Sequence, residues 1–223
     1  EGRFFGFKVV LNWFGDDYGK VRIEDMIGPV EMRLANERNL VVLLHVPRSG
    51  RLADPVVQRG VERLAKQYPG AQLVLAHCGR CYLPAEMRRV LGFLRRLDNV
   101  SLDTAMVMDP MALWMALDAI DSRRLLYATD FPVAAMRGRR VQVMDHWVDL
   151  VLEGYPKSAY RVGSDNMRAT FMAWEIVLAI RQAAEQAGLS ARERNGIFWD
   201  NGMRLLRRVE QGRTIRAYQG EKA

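Results

Sequence analysis

Apolar runs of strand length alternate along the chain with segments of helical period. The runs are FFGFKVVL from Phe4, LVVLLHV from Leu40, QLVLAHC from Gln72, NVSLDTA from Asn99 and RLLYATD from Arg124, with starts 36, 32, 27 and 25 residues apart. Little polar alternation interrupts them, which suits strands covered on both faces, as in a parallel sheet flanked by helices. The spacing is that of repeated βα units. Between the runs, Asp54-Pro55 and Asp109-Pro110 each set a capping carboxylate before a proline that fits the first helical turn, and Pro84 opens a further helix. Five βα units are predicted, as an open doubly wound sheet or as the later five eighths of a (β/α)8 barrel.

Beyond Asp130 the pattern predicts helices and no further strand. Ser164 or Asp165 is expected to cap a long helix whose Phe171, Trp174, Val177 and Leu178 follow an i, i+3, i+4 pattern and which Gly188 ends; Ser190 then begins a capping box with Glu193. MDHWVDLVLEG, around His146, reads as an amphipathic helix in which the histidine is partly buried beside Trp147 and Leu150. Trp114, Trp174 and Trp199 also fall in helical segments and read as packing or oligomer contacts. The expected division is βα units over 1–140 and a helical extension over 141–223 that covers the sheet and presents a homodimer surface.

Composition narrows the partners. Of the 223 residues 49% are hydrophobic and 26% charged, and no segment runs eighteen residues without a charge, so no membrane span is expected. Glu1 is followed by no basic and apolar leader, and the run from Phe4 places the first residues already inside a fold. The two cysteines, Cys78 and Cys81, do not make a disulfide framework, which favours a reducing cytoplasm. The formal charge of +7 raises the question of nucleic acid, but arginines occur singly or in pairs across the helices and form no stripe, so no such partner is expected. The chain has no GxGxxG after a strand, no P-loop and no GxSxG, which leaves nucleotide cofactors and a serine nucleophile unsupported.

The chemistry concentrates at strand ends. His45 ends LVVLLH, His77 ends LVLAH and Asp130 ends LLYATD. Such side chains are costly inside apolar strands unless paired, and the carboxyl ends of strands are where α/β active sites assemble. Any one of them is satisfied by a local hydrogen bond; three on one rim point to a site. The stretch VLAHCGRCYLP at 74–84 also admits a redox dithiol or a zinc site. Cys78 directly follows the strand, with no helix N-terminus to stabilise a thiolate, and no second ligand pair exists for zinc, so His77 is the site residue and the cysteines are incidental. Arg48 and Arg51, in PRSGR, either grip a substrate carboxylate through the guanidinium fork or remain solvated or paired with Asp54.

The succession GFK at 6–8, LHVPR at 44–48, AHCG at 76–79, LDT at 102–104, ATDFP at 128–132 and DNGMRLL at 200–206 resembles the amidohydrolase superfamily, nearest to its amidohydrolase-2 branch of metal-dependent hydrolases and decarboxylases, over residues 4–207. The resemblance implies a (β/α)8 barrel and a small carboxylated or cyclic substrate. It implies that His45 is a metal ligand, that His77 orients substrate or moves a proton, and that Asp130 holds the metal or its water and acts as general base. The implied cofactor is a divalent ion, zinc or else manganese, which lowers the pKa of bound water to about 7. Lys8 is expected to contact substrate or form an ion pair, and is a candidate for the carboxylated lysine of other branches; Arg48 is the candidate for the substrate carboxylate. The HxH pair that ends the family's first strand is absent, since the only histidines are His45, His77 and His146. FFGFKVVL therefore aligns with the fourth strand, three βα units of about thirty residues each are missing, and the chain is expected to be the later portion of a longer barrel. The competing expectations are a catalytically idle α/β scaffold or oligomerisation module that keeps the family sequence, and a CxxC oxidoreductase.

Overall fold

The computed structural model describes residues 4–14, 17–152, 159–161 and 169–220, with the backbone alone for 159–161 and 213–220. Strands β1 (Gly6–Val9), β2 (Val41–Leu44), β3 (Gln72–Leu75), β4 (Val100–Asp103) and β5 (Leu125–Leu126) form one sheet in sequential order. Every pairing is parallel, and the register runs Lys8 to Leu43 to Val74 to Ser101 across four strands. A doubly wound sheet reverses its strand order at a switch point. This one does not reverse, which makes it an arc of barrel type.

The helices start where the caps predict. In α2 (Pro55–Gln67), which follows α1 (Pro29–Glu37), Asp54 Oδ1 accepts from Val56 N at 2.8 Å. Glu86 in α3 (Pro84–Arg88) accepts from the amides of Tyr82 and Leu83. Asp109 accepts from Met111 and Ala112 at the start of α4 (Pro110–Ala119). Each bond satisfies amides that the first helical turn would otherwise leave orphaned.

The two faces of the sheet differ. Val42, Leu44, Leu73, Leu75 and Leu102 are fully buried against the helices in the main core. Val74 and Leu126 face the other way and pack with Leu205, Val41 and Leu43 in a small second cluster. Leu205 belongs to α6 (Asn201–Gly220), which crosses beneath that concave face.

The region after Asp130 departs from the expected all-helical reading. β6 (Gly138–Val143) and β7 (His146–Val151) form an antiparallel hairpin, and β8 (Ala159–Arg161) adds to it in parallel. His146 and Trp147 therefore lie on a strand, and the 140/141 boundary falls inside β6. The expected caps Ser164 and Asp165 lie outside the described residues. Helix α5 (Met172–Gln186) buries Met172, Ile176, Ala179, Ile180 and Ala183, whereas Phe171, Trp174 and Leu178 are 42, 59 and 47% exposed. The buried stripe is the one with small alanines, which permits close packing on α4. Gly188 ends α5 with φ 67° and Ser190 caps the next turn with Glu193, both as expected. No helix among the described residues is long and apolar enough to cross a membrane.

Candidate active site

His45, His77, Asp103, Asp130, Lys8 and Asn12 line one cavity of about 240 Å³ at the carboxyl ends of the strands. The proposed cluster of His45, His77 and Asp130 is thus gathered, with Lys8 beside it. The His45 and His77 rings meet edge to face, 4.9 Å between centroids.

His45 follows β2 on the concave side, two residues beyond Leu43. Burial first, then the nearby charges of His77, Arg80 and Lys8, bring its pKa down to about 3. The ring is neutral at physiological pH, which leaves a nitrogen lone pair to meet a cation rather than a proton.

His77 sits in a left-handed turn. His77, Cys78, Gly79 and Arg80 have φ of 55, 51, 68 and 61° in succession, a region costing roughly 1–2 kcal/mol per non-glycine residue. Glycine is required at 79, because a Cβ there would lie 2.6 Å from Leu52 Cδ2. Four contacts hold the turn: Asp103 Oδ1 accepts from His77 N at 2.7 Å, Cys78 Sγ donates to Asp103 O, and Arg80 Nη1 donates to the carbonyls of Val46 and Arg48. The His77 ring faces the Ala105 carbonyl through Nδ1 at 3.0 Å. A carbonyl can only accept, so in the neutral ring Nδ1 carries the hydrogen and Nε2 is the free acceptor.

Asp103 lines the same cavity and is the strand-end carboxylate that the sequence reading did not single out. Burial holds its carboxyl above the usual range, reinforced by Asp130 and opposed by His77 and the amides of His77 and Ala105. Its signal was present: an aspartate near the end of the apolar run NVSLDTA, the same pattern that singled out Asp130.

Asp130 lies four residues beyond the end of β5, which is shorter than the run RLLYATD suggests. Thr104 N still donates to Leu126 O, but the next partner of Ala128 is the Thr104 hydroxyl, at 3.1 Å from its amide and 3.2 Å from its carbonyl. A side chain replaces the ladder there, and the backbone turns at Asp130 with φ 67°.

Arg48 lies outside the cavity. Its Nε donates to Asp54 Oδ2 at 2.8 Å, and Arg51 pairs with Glu86. Both cysteines are free and buried. Burial pushes the Cys78 thiol well above its ordinary pKa and Cys81 up to about 12, the reverse of a reactive dithiol.

An aromatic line leads outward from the site: His77 to Tyr82 at 5.9 Å, then Tyr82 to Trp147 of β7 at 5.2 Å. Arg140 of β6 covers both outer rings, 4.3 Å from the Tyr82 centroid and 3.8 Å from that of Trp147, while forming a two-pronged ion pair with Asp149. The hairpin is thereby fixed against the rim.

His45 and Asp130 are donors of the kind a divalent cation takes. Among the described residues, however, no group of three or more His, Cys, Asp or Glu side chains is placed to hold a metal ion. The described donors do not by themselves make a metal centre.

Solved structures share the fold at low identity. An amidohydrolase from Burkholderia multivorans aligns with a TM-score of 0.54 at 16% identity, covering 91% of this chain and 64% of its own. A 5-carboxyvanillate decarboxylase from Novosphingobium aromaticivorans, solved with manganese and 4-hydroxy-3-methoxy-5-nitrobenzoic acid, aligns with a TM-score of 0.50 at 15% identity, covering 92% of this chain and 56% of its own. The chain thus spans less than two thirds of the length of either. No curated protein sequence matches it. The amidohydrolase family model Amidohydro_2 matches residues 1–208, and the chain belongs to that family.

Proposed function

We propose that the chain serves a metal-dependent hydrolase or non-oxidative decarboxylase of a small carboxylated or cyclic substrate. The observation that carries this reading is the convergence of two imidazoles, two carboxylates and an ammonium group on one strand-end cavity. His45 and Asp130 would be the chain's contribution to a zinc or manganese site, with further donors from outside the described residues. The ion would supply Lewis acidity. Asp130 accepts and returns a proton, and His77 Nε2 takes or gives one at the substrate. Asp103 fixes the backbone that aims His77 and is a positioning residue. Lys8, exposed at the mouth, pairs with a substrate carboxylate; Arg48 joins it only when released from Asp54. A reducing cytoplasm fits the two free thiols, and the exposed Phe171, which precedes α5, with Trp174 and Leu178 on it, are the proposed homodimer face, so Trp174→Arg should convert dimer to monomer in light scattering.

A second reading is supported by the incomplete donor set: a catalytically idle scaffold that keeps the family fold. Metal analysis and turnover separate the two. Stoichiometric zinc or manganese that is lost in His45→Ala, with turnover lost in Asp130→Asn, supports the enzyme. Metal-free protein without turnover on aromatic carboxylates or cyclic amides supports the scaffold, and full turnover in Asp130→Asn refutes the assigned base.

A further inference from the structure

Around the strand-end rim, arginines are matched with carboxylates. Arg48 meets Asp54, Arg51 meets Glu86 and Arg140 meets Asp149. Arg80 is the exception. It is only 9% exposed, yet its partners among the described residues are all neutral. Nη1 donates to the carbonyls of Val46 and Arg48, each at 3.2 Å, and the guanidinium lies over the Tyr18 ring, 5.2 Å from its centroid. These contacts satisfy hydrogens and leave the charge unanswered. Nε and Nη2 donate to no described residue. They are not among the protein's sealed, unpartnered atoms either, which are Gln72 Oε1 and Arg124 Nη2, so both keep contact with open space.

The place of this charge is set by the site histidines. Arg80 closes the left-handed run that His77 opens, and the two carbonyls it grips belong to the segment that follows His45 directly. One guanidinium thereby braces both histidine-bearing segments. After burial and the charge of His77, its field is the next contribution to the low proton affinity of the His45 ring. An enclosed charge without a counter-ion is costly, and an anion brought near it lowers that cost. A unit charge about 10 Å away, across protein of effective dielectric about 20, changes the affinity for an anion by roughly tenfold.

We infer that Arg80 is a specificity-determining residue of the strand-end site: its unneutralised guanidinium, fixed beside His45 and His77, selects anionic over neutral substrates through space. The inference rests on the reading that this cavity takes the substrate. It assigns to Arg80 the attraction for a carboxylate that Arg48, neutralised by Asp54, does not supply.

The test compares benzoate with benzamide, planar ligands of one shape that differ in charge, by calorimetric titration at pH 7 with and without added zinc. Benzoate should bind the unaltered protein more tightly than benzamide. Arg80→Met keeps much of the stem and removes the charge, so benzoate should weaken about tenfold and benzamide by less than about twofold. Arg80→Lys returns the charge without the planar fork and should restore benzoate to within about threefold. If Arg80→Met fails to fold, Arg80→Gln, which keeps an amide donor for the carbonyls, decides. Because binding is read and not turnover, a preference for benzoate that depends on Arg80 sustains the inference even in a protein without activity, where the hydrolase or decarboxylase reading fails. Equal losses of both ligands would make Arg80 a brace alone and overturn the inference. So would benzoate affinity unchanged in the charge-free variant, or no benzoate binding by the unaltered protein.

Discussion

Replacing Asp149 by Asn tests what holds the β6–β7 hairpin to the site. The Asp149 and Arg140 side chains are 10 and 9% exposed and meet through two 2.8 Å hydrogen bonds. Removing one charge of such a buried pair costs about 3–5 kcal/mol, because the other is stranded. Here the stranded guanidinium keeps the faces of Trp147 and Tyr82, which return about 1 kcal/mol. The net loss expected is about 2–4 kcal/mol, or a melting temperature lower by roughly 4–16 °C for a chain of this size. Urea unfolding followed by far-UV dichroism and tryptophan fluorescence measures it. Arg140→Met placed on top of Asp149→Asn removes the stranded charge and should recover most of the loss, giving a coupling energy of about 2 kcal/mol. Additive losses, with coupling below about 0.5 kcal/mol, would refute the buried-pair reasoning.

Three further outcomes follow from the same structure. Burial raises the Asp54 carboxyl, but the Arg48 hydrogen bond and the Val56 amide outweigh it and leave the group below its ordinary value; a depressed folded pKa stabilises above about pH 4 and is lost as pH falls through the folded value. Asp54→Ala should therefore cost about 1 kcal/mol at pH 7 and progressively less in acid, in paired urea titrations. Gly79→Ala, at φ 68° and against Leu52, should cost at least about 2 kcal/mol; an unchanged midpoint would show that the turn relaxes. Neither cysteine should react with an aromatic disulfide reagent at pH 8 until denaturant is added, and rapid labelling of native protein would contradict their burial.

The barrel arc was legible because its information is local. Uninterrupted apolar runs, prolines at first helical turns and their spacing are all properties of short windows, and the five strands and the helix starts at Pro55, Pro84 and Pro110 follow from them, whereas the helix Pro29–Glu37 was not anticipated. The hairpin was not legible. Its turn, Val143-Met144-Asp145-His146, lacks the Asn-Gly or Asp-Gly pair that marks such a turn and instead places Met144 at φ 56°. Its strands also bury the charged pair of Arg140 and Asp149, so a polar residue occupies the position where alternation should show an apolar one. On α5 two apolar stripes compete, and only the tertiary partner selects the alanine-rich one over Trp174 and Leu178. At the site, His45, His77 and Asp130 were readable from strand-end position, whereas the sequence left Arg48 open between a substrate carboxylate and Asp54, and a loop conformation that no periodicity encodes selects the Asp54 pair.

The left-handed run from His77 to Arg80 aims the imidazole by force rather than by preference. Three of its four residues occupy a conformation that their own side chains disfavour, and they stay there only because Asp103, Val46 and Arg48 grip them from neighbouring strands and loops. Stability selection applied to this protein will find relief at those positions first. Variants that relax the turn should melt later while the ring drifts off its line, so that ruggedness and chemical competence pull this loop in opposite directions.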